Sequence, residues 1–214
     1  MHSLMILTAG MLLVLITAHP SLAQTTPSVT GVVQQYLLSP HGEVEGLLLA
    51  DGTVVRFPKH LGVALASSVR PTDQVTVVGF LGTATPQGRA VKALTISNSR
   101  TGQTLTDQPP DGRPLPPESR GLFRTPLTVG GTVARFLVNP GGEIDGLILN
   151  GGEQVKFNPR HGALAFMLLS QHPGTQVMAS GYGTRNAFGT VVDAQMLTAA
   201  GQTIQLTAGR GKGK

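Results

Sequence analysis

One segment of this chain occurs twice. The sequence at 31–57, GVVQQYLLSPHGEVEGLLLADGTVVRF, returns one hundred residues later at 131–157 as GTVARFLVNPGGEIDGLILNGGEQVKF, and twelve of the 27 aligned positions are identical without a gap. A repeated Pro-basic-His sequence and several aligned glycines extend the match. A unit of about 100 residues is long enough to close its own small core, so we expect tandem copies of one domain.

Composition narrows the class of these domains. The 214 residues include 28 glycines and 15 prolines but no cysteine or tryptophan, and only 13% are charged. Such a composition is typical of a turn-rich globular protein and excludes a coiled coil, a collagen-like repeat and a highly charged disordered chain. Without cysteine there is no disulfide, thiolate nucleophile or Cys-ligated metal, so stability must come from core burial.

The first 23 residues have the pattern of a secretory signal peptide. An apolar run at 4–18, with no Lys or Arg before it, is followed by His19-Pro20 and by Ser21-Leu22-Ala23, the small-x-small sequence that signal peptidase cuts. The run is shorter than the roughly 20 residues that span a bilayer. We therefore expect a periplasmic or secreted protein without stable membrane insertion after cleavage, and an uncleaved anchor or a buried core helix is the alternative.

Apolar residues within each copy alternate or form short blocks between Gly, Pro and Asp, which is the periodicity of β-strands. In the first copy this pattern predicts strands at 29–38, 43–49, 53–57, 74–81 and 89–97. The last two main strands of the second copy are expected at 176–182 and 190–198, and short final strands at 102–105 and 201–204. Ala, Leu and Met residues after the third strand predict one short helix in each copy, which Asn158-Pro159 begins in the second.

Three strands, a helix and two further strands form the order of the OB-fold, a small Greek-key barrel. The chain resembles the bacterial OB-fold proteins of the periplasm, which are small single-barrel proteins. The resemblance lies in the order of elements over 29–97 and 129–198 and in the export signal. The resemblance implies an all-β fold of two tandem OB-fold-like five-stranded barrels with one short helix per repeat. Here the barrel is duplicated.

These features predict five segments along the chain. They are a signal peptide at 1–23, a first barrel at 24–106, a Pro-rich linker at 107–127, a second barrel at 128–208 and a basic tail at 209–214. Six prolines between 99 and 128 favour an extended linker that acts as a spacer. The sequence Pro114-Leu115-Pro116-Pro117 leaves a ligand for a proline-recognition domain as the alternative.

Ligand contact is predicted on the surface that OB barrels use, which is strands two and three with the adjoining loops. The residues singled out for ligand contact are Tyr36, Arg56, Phe136, Lys156 and Arg185. Alternation along the third strands points Arg56 and Lys156 outward, beside inward-facing phenylalanines. Solvated cations are the favoured interpretation of these two residues, and contact with nucleic acid is the alternative.

A nucleic-acid or other polyanion ligand is the first alternative function. The formal net charge is +5, and three of the cations lie in the last six residues, where a solubilising tail is the other interpretation. Two tyrosines and seven phenylalanines are the only aromatic residues available for base stacking. The second strands also carry carboxylates that would repel phosphate, namely Glu43, Glu45, Glu143 and Asp145.

His60 and His161 recur at the same place in the two copies, directly before the predicted helices. Imidazole is a common metal ligand and titrates near neutral pH, so a metal-responsive protein is the second alternative function. A closed site would need Glu43 or Glu45 as partners, or both histidines together. His41 is not shared between the copies, because Gly141 takes its place. Hydrogen bonding at the start of the helix is the favoured interpretation.

The sequence contains none of the common catalytic or nucleotide-binding motifs, and we expect no cofactor. It therefore predicts an exported, non-catalytic binding or scaffolding protein of the cell envelope, with an unknown envelope protein or a polyanion as its partner. The second helix is more apolar than the first, because Phe166-Met167-Leu168-Leu169 replaces Leu65-Ala66-Ser67-Ser68. This surplus predicts a contact with the neighbouring barrel or a homo-oligomer.

Overall fold

The computed structural model describes residues 26–109, 124–171 and 173–206. The predicted signal peptide, most of the predicted linker and the basic tail at 209–214 lie outside the described residues. None of the helices in the described part has the length and hydropathy of a bilayer span.

The first barrel contains five strands that close into a ring. Its elements are β1 (Ser28–Leu38), β2 (Val44–Leu49), β3 (Val54–Arg56), α1 (Gly62–Ser68), β4 (Gln74–Leu81) and β5 (Ala90–Asn98). β1 is long enough to pair antiparallel with β4 through its first half and with β2 through its second half. β2 pairs with β3 and β4 with β5, and a parallel pairing of β3 with β5 closes the ring. A further strand, β6 (Thr104–Thr106), adds to β5.

The second barrel repeats this order. Its elements are β7 (Thr125–Val138), β8 (Ile144–Leu149), β9 (Gln154–Lys156), α2 (Gly162–Ser170), β10 (Gln176–Asn186), β11 (Gly189–Ala199) and β12 (Gln202–Gln205). The same pairings close it, with β9 and β11 parallel. The predicted fold class, two closed five-stranded barrels with one short helix each, is confirmed. Because β7 begins at Thr125, it starts ahead of the predicted domain boundary at 128.

Inward-facing side chains fill each barrel. In the first, the strands contribute fully buried residues such as Leu47, Val55 and Ile96, and α1 adds Leu65. The core of the second barrel has the following fully buried side chains: Leu147, Val155, Ala165, Ala179, Val192 and Leu197. Gly46 allows β2 to lie close to β3, since a Cβ there would overlap the carbonyl oxygen of Val55.

The last hairpin of the second barrel is longer than predicted. β10 and β11 pair continuously as far as Asn186 and Gly189, whereas the sequence pattern ended the first of these strands at 182. In the first barrel, β4 ends at Leu81, and the 82–89 loop that follows holds one isolated bridge between Thr85 and Gly88. The extension is stabilised at its tip by contacts with the first barrel, which alternation along a strand does not reveal.

Much of the apolar surplus of the second helix lies inside its own barrel. Leu168 and Leu169 are buried in the second core, and the Phe166 ring packs on Phe136 with the ring centroids 5.2 Å apart. Met167 is the exposed member of the surplus, at 58%. The contact that α2 was predicted to make with the other barrel or with a second subunit therefore rests on Met167 and stays a prediction.

Candidate functional site

The two barrels pack against each other through the faces that OB barrels use for ligands. An apolar cluster combines side chains from β1, β2, β3 and β5 with side chains from β7 and β8, and each is at most 3% exposed: Leu37, Leu48, Val54, Ala90, Leu137, Val138 and Ile148. Most of these residues alternate with those that fill the barrel interiors, so they point outward from their own barrel. Val138 directly follows Leu137 and joins the cluster at a register shift in the pairing of β7 with β8. The outer surface of strands two and three in each barrel is thus covered by the other barrel.

A cluster of four charged side chains, two from each barrel, adjoins the apolar cluster. Arg56 donates to Glu45 Oε1 through Nη1 at 3.0 Å and to Asp145 Oδ2 through Nη2 at 2.6 Å. Lys156 Nζ donates to the same Glu45 oxygen. The repeat aligns Glu45 with Asp145 and Arg56 with Lys156, so one acid–base pair occurs twice, and the two copies face each other.

The interpretation of Arg56 and Lys156 as solvated cations is wrong. Their side chains are only 18% and 13% exposed. Alternation placed both residues correctly on the outside of their own barrels, but that outside is covered by the neighbouring barrel. Arg56 is paired there with Glu45 and Asp145, and Lys156 is paired with Glu45.

Burial at the junction changes the protonation equilibria of this cluster. Loss of hydration raises the pKa of the Asp145 carboxyl, while the charges of Arg56 and Lys156 oppose the rise. Loss of hydration likewise lowers the pKa of the Lys156 ammonium, and Glu45 opposes that shift. Asp145 Oδ1 is buried without a hydrogen-bond partner among the described residues. Both shifts disfavour the charged form, as expected for ion pairs removed from water.

One buried amide links the barrels without a counterpart in the repeat. Gln154 on β9 is 1% exposed, and its Nε2 donates to the Tyr36 carbonyl oxygen at 2.8 Å. Its Oε1 accepts from the Leu38 amide at 2.9 Å. The aligned residue in β3 is Val54, which has no such groups. The sequence analysis did not predict this contact. The feature that could have indicated it is the amide side chain of Gln154 at a position where the first copy has the apolar Val54.

The connecting loops of each barrel hold a turn of the other barrel. From the β10–β11 hairpin, Thr184 Oγ1 donates to the Pro40 carbonyl at 3.1 Å and Asn186 Nδ2 donates to the Gly42 carbonyl at 2.8 Å. In return, the Thr83 amide in the β4–β5 loop donates to the Pro140 carbonyl at 2.9 Å. These are the two kinds of loop that flank the ligand face of an OB barrel. Here they bind the opposite barrel.

Residues at aligned positions of β1 and β7 make reciprocal contacts as well. Gln35 Nε2 donates to the Gly152 carbonyl at 3.3 Å, and the Arg135 guanidinium lies directly over Gly52. Gly52 and Gly152 occupy the β2–β3 and β8–β9 turns with φ of +91° and +87°. Reciprocal contact between equivalent residues is the pattern of a two-fold interface, formed here within one chain.

The remaining residues predicted for ligand contact have separate surroundings. Tyr36 is 8% exposed, and its hydroxyl donates to the Val69 carbonyl at 2.6 Å. Burial raises the pKa of this phenol. The Phe136 ring packs on the Phe166 ring of α2. Arg185 is exposed near the tip of the β10–β11 hairpin, where its Nε donates to Thr190 Oγ1 at 3.2 Å.

The repeated histidines do not bond to the start of the helices, so the favoured interpretation of them is wrong. His60 Nε2 lies 2.8 Å from the Gln108 carbonyl, and His161 Nε2 is buried without a hydrogen-bond partner among the described residues. A short 3₁₀ turn precedes each helix, and in the second copy the Asn158 side chain caps it by accepting from the Arg160 amide. Within 26–109, 124–171 and 173–206, no group of three or more His, Asp or Glu residues is placed to hold a metal ion.

Comparison with known proteins does not assign this chain to a family. No protein-family model matches this chain, and no curated protein matches it. Among solved structures it is similar to the wild-type single-stranded DNA-binding protein from Thermus aquaticus, with 13% identity, a TM-score of 0.23 and coverage of 87% of this chain and 95% of that chain. A deletion mutant of the same protein gives 12% identity, the same TM-score and coverage of 87% and 96%. The OB-like topology rests on the strand pairings within each barrel.

Proposed function

We propose that this chain is an exported, non-catalytic binding protein in which two OB-like barrels act as one unit. Its ligand contacts lie outside the strand faces that OB barrels ordinarily use. The observation that carries the proposal is the mutual burial of those faces, with apolar side chains at the centre and paired charges beside them. The signal-peptide pattern at 1–23 and the resemblance to periplasmic OB-fold proteins support a role in the cell envelope.

Polyanion binding through Arg56 and Lys156 is disfavoured by this arrangement. A phosphate chain would have to replace Glu45 and Asp145 as the partners of these cations. It would also have to separate the apolar cluster, and exposing a buried leucine or valine side chain costs about 1.5–3 kcal/mol. The three cations of the 209–214 sequence are the alternative source of nonspecific attraction to an anionic polymer, which salt weakens.

Retention on heparin and binding of a fluorescent 20-mer of deoxythymidine test the proposal against the nucleic-acid alternative. The proteins compared are the full chain, a chain that ends at residue 208, and two variants of the shortened chain, Lys156→Gln and Arg185→Gln. Arg185→Gln is the control, because it removes the same charge from an exposed position. We expect retention at low salt by the full chain alone, and loss of it with the tail.

Binding by the shortened chain would contradict the proposal if Lys156→Gln weakens it more than Arg185→Gln does. That result would place the nucleic acid on the strand faces, and the barrels would have to separate in solution. Thermal melts of both variants accompany the measurement, so that a loss of folding is not mistaken for a loss of binding.

A further inference from the structure

A cavity of about 390 Å³ opens at one edge of the junction. Its walls come from the β1–β2 turn, from the 3₁₀ turn at Lys59–Leu61 and from Phe188 in the β10–β11 hairpin. This volume lies within the range of roughly 300–1,000 Å³ that small-molecule sites occupy. Because one wall belongs to the second barrel, the cavity exists only when the two barrels are docked.

The polar groups at this cavity favour a negatively charged ligand. Lys59 is exposed and has no ion pair among the described residues, and His41 also lines the cavity. Glu43 is the one carboxylate of the lining, and its Oε2 accepts from Ser39 Oγ at 3.1 Å. His60 Nε2 is already engaged with a main-chain carbonyl. Lys59 and His41 are thus the available donors, and an ammonium–carboxylate hydrogen bond is of the stronger, charge-assisted kind.

The apolar wall is held in place before any ligand arrives. The Phe188 ring stands edge-on to Tyr36 with the centroids 5.6 Å apart, and the Phe188 amide donates to Asn186 Oδ1 at 2.9 Å. The ring is still 42% exposed, and Val63 on α1 is 82% exposed. A fixed aromatic ring with an open face offers stacking contact at a small entropic cost.

Two residues that line this cavity have no counterpart in the other copy. His41 aligns with Gly141, and the 82–89 loop of the first barrel contains no aromatic residue at the place where the second barrel supplies Phe188. Contacts that occur in both copies are explained by packing of the two barrels. The imidazole comes from the first copy and the aromatic ring from the second, and neither has a counterpart in the other copy.

We propose that this cavity binds a small organic carboxylate with a ring-shaped apolar body. The carboxylate accepts hydrogen bonds from Lys59 and His41, and the ring lies between Val63 and Phe188. The inference deepens the proposed function, on which it rests, by locating ligand contact at the junction edge.

Titration of the full chain with benzoate, followed by amide ¹H–¹⁵N spectra, tests this site. Benzyl alcohol is the matched neutral probe, since it has the same ring without the charge. We expect benzoate to shift the amides of residues 41–44, 59–63 and 188, and benzyl alcohol to bind at least tenfold more weakly. Lys59→Gln is expected to weaken benzoate binding by roughly tenfold, because one charge-assisted hydrogen bond is lost.

Arg160→Gln is the matched control, because Arg160 is the basic residue of the Pro-basic-His sequence in the second copy and is not part of the cavity lining, and it should leave benzoate binding unchanged. Phe188→Leu keeps an apolar contact with Tyr36 but removes the flat ring, and it should also weaken binding. Equal affinity for the two probes, shifts elsewhere in the spectrum, or insensitivity to Lys59→Gln would overturn the inference. Such results would leave the proposed function standing as long as the shortened chain still fails to bind heparin.

Discussion

Replacing Gln154 by valine is expected to destabilise the protein through the junction. Valine is the residue that the first copy has at this position, so the substitution makes the two repeats more alike. Its cost arises in the other barrel, where the Tyr36 carbonyl and the Leu38 amide lose the partners that they have at 2.8 and 2.9 Å. Leu38 is fully buried, so water does not replace the amide of Gln154 there.

The magnitude follows from the two orphaned main-chain groups. Each buried polar group left without a partner costs about 1–3 kcal/mol. A nonpolar side chain in place of the amide recovers about 1 kcal/mol. We therefore expect a loss of roughly 1–5 kcal/mol in the free energy of unfolding. For a chain of this size each kcal/mol lowers the melting temperature by about 2–4 °C, which predicts a decrease of roughly 2–20 °C.

Urea denaturation and thermal melts of three variants separate hydrogen bonding from volume. Gln154→Met keeps nearly the side-chain volume and should be destabilised almost as much as Gln154→Val, because both lack the amide. Gln176→Val is the control at the exposed first residue of β10 and should stay within about 0.5 kcal/mol of the wild type. If Gln154→Val also stays within that margin, the buried amide does not join the barrels and the reasoning is refuted.

Three further predictions concern Asp73, the charge cluster at the junction and helix α2. Hydrogen bonds, chiefly from Arg100, hold the pKa of Asp73 well below its usual 3.8, so urea titrations should show stability that is present above that value and is lost as the pH falls below it. A stability that stays unchanged from pH 5 to pH 2 would contradict this. Glu45→Gln should lower the free energy of unfolding by roughly 1–3 kcal/mol, because Lys156 loses its carboxylate partner. At the exposed Glu143, the same substitution should lower it by less than about 0.5 kcal/mol. Equal losses would argue against the charge cluster. Met167→Ser should leave the melting temperature nearly unchanged, because the side chain is exposed. Sedimentation equilibrium of the wild type and this variant tests the predicted homo-oligomer. An equal mass for the two proteins would show that α2 does not form a subunit contact.

The repeat and the strand periodicity were sufficient to predict the barrels. The predicted limits of β4 coincide with those observed, and Asn158 caps the turn at which the second helical segment was expected to begin. These features depend on neighbours along the chain or across one hairpin. Local pattern therefore specifies them.

The junction could not be predicted in the same way, although one signal was present. Alternation shows which side chains leave the barrel interior, but not what covers them. The run Leu47-Leu48-Leu49 is apolar on both faces of β2, and the aligned run Leu147-Ile148-Leu149 repeats this feature. Strands that are apolar on both faces are typically buried on both. The cavity at the edge of the junction is lined by both His41 and Phe188. These residues are far apart in the chain, and they lie at one site only because the two barrels dock.

The most direct test of the mutual burial is a methyl NOE experiment on the full chain. We expect cross-peaks between the methyl groups of Leu37, Leu48 and Val54 and those of Leu137, Val138 and Ile148. Contact across the junction then holds in solution, and the strand faces are closed. Assigned spectra without any cross-peak between these two sets would show that the barrels stand apart, and the central claim would be wrong.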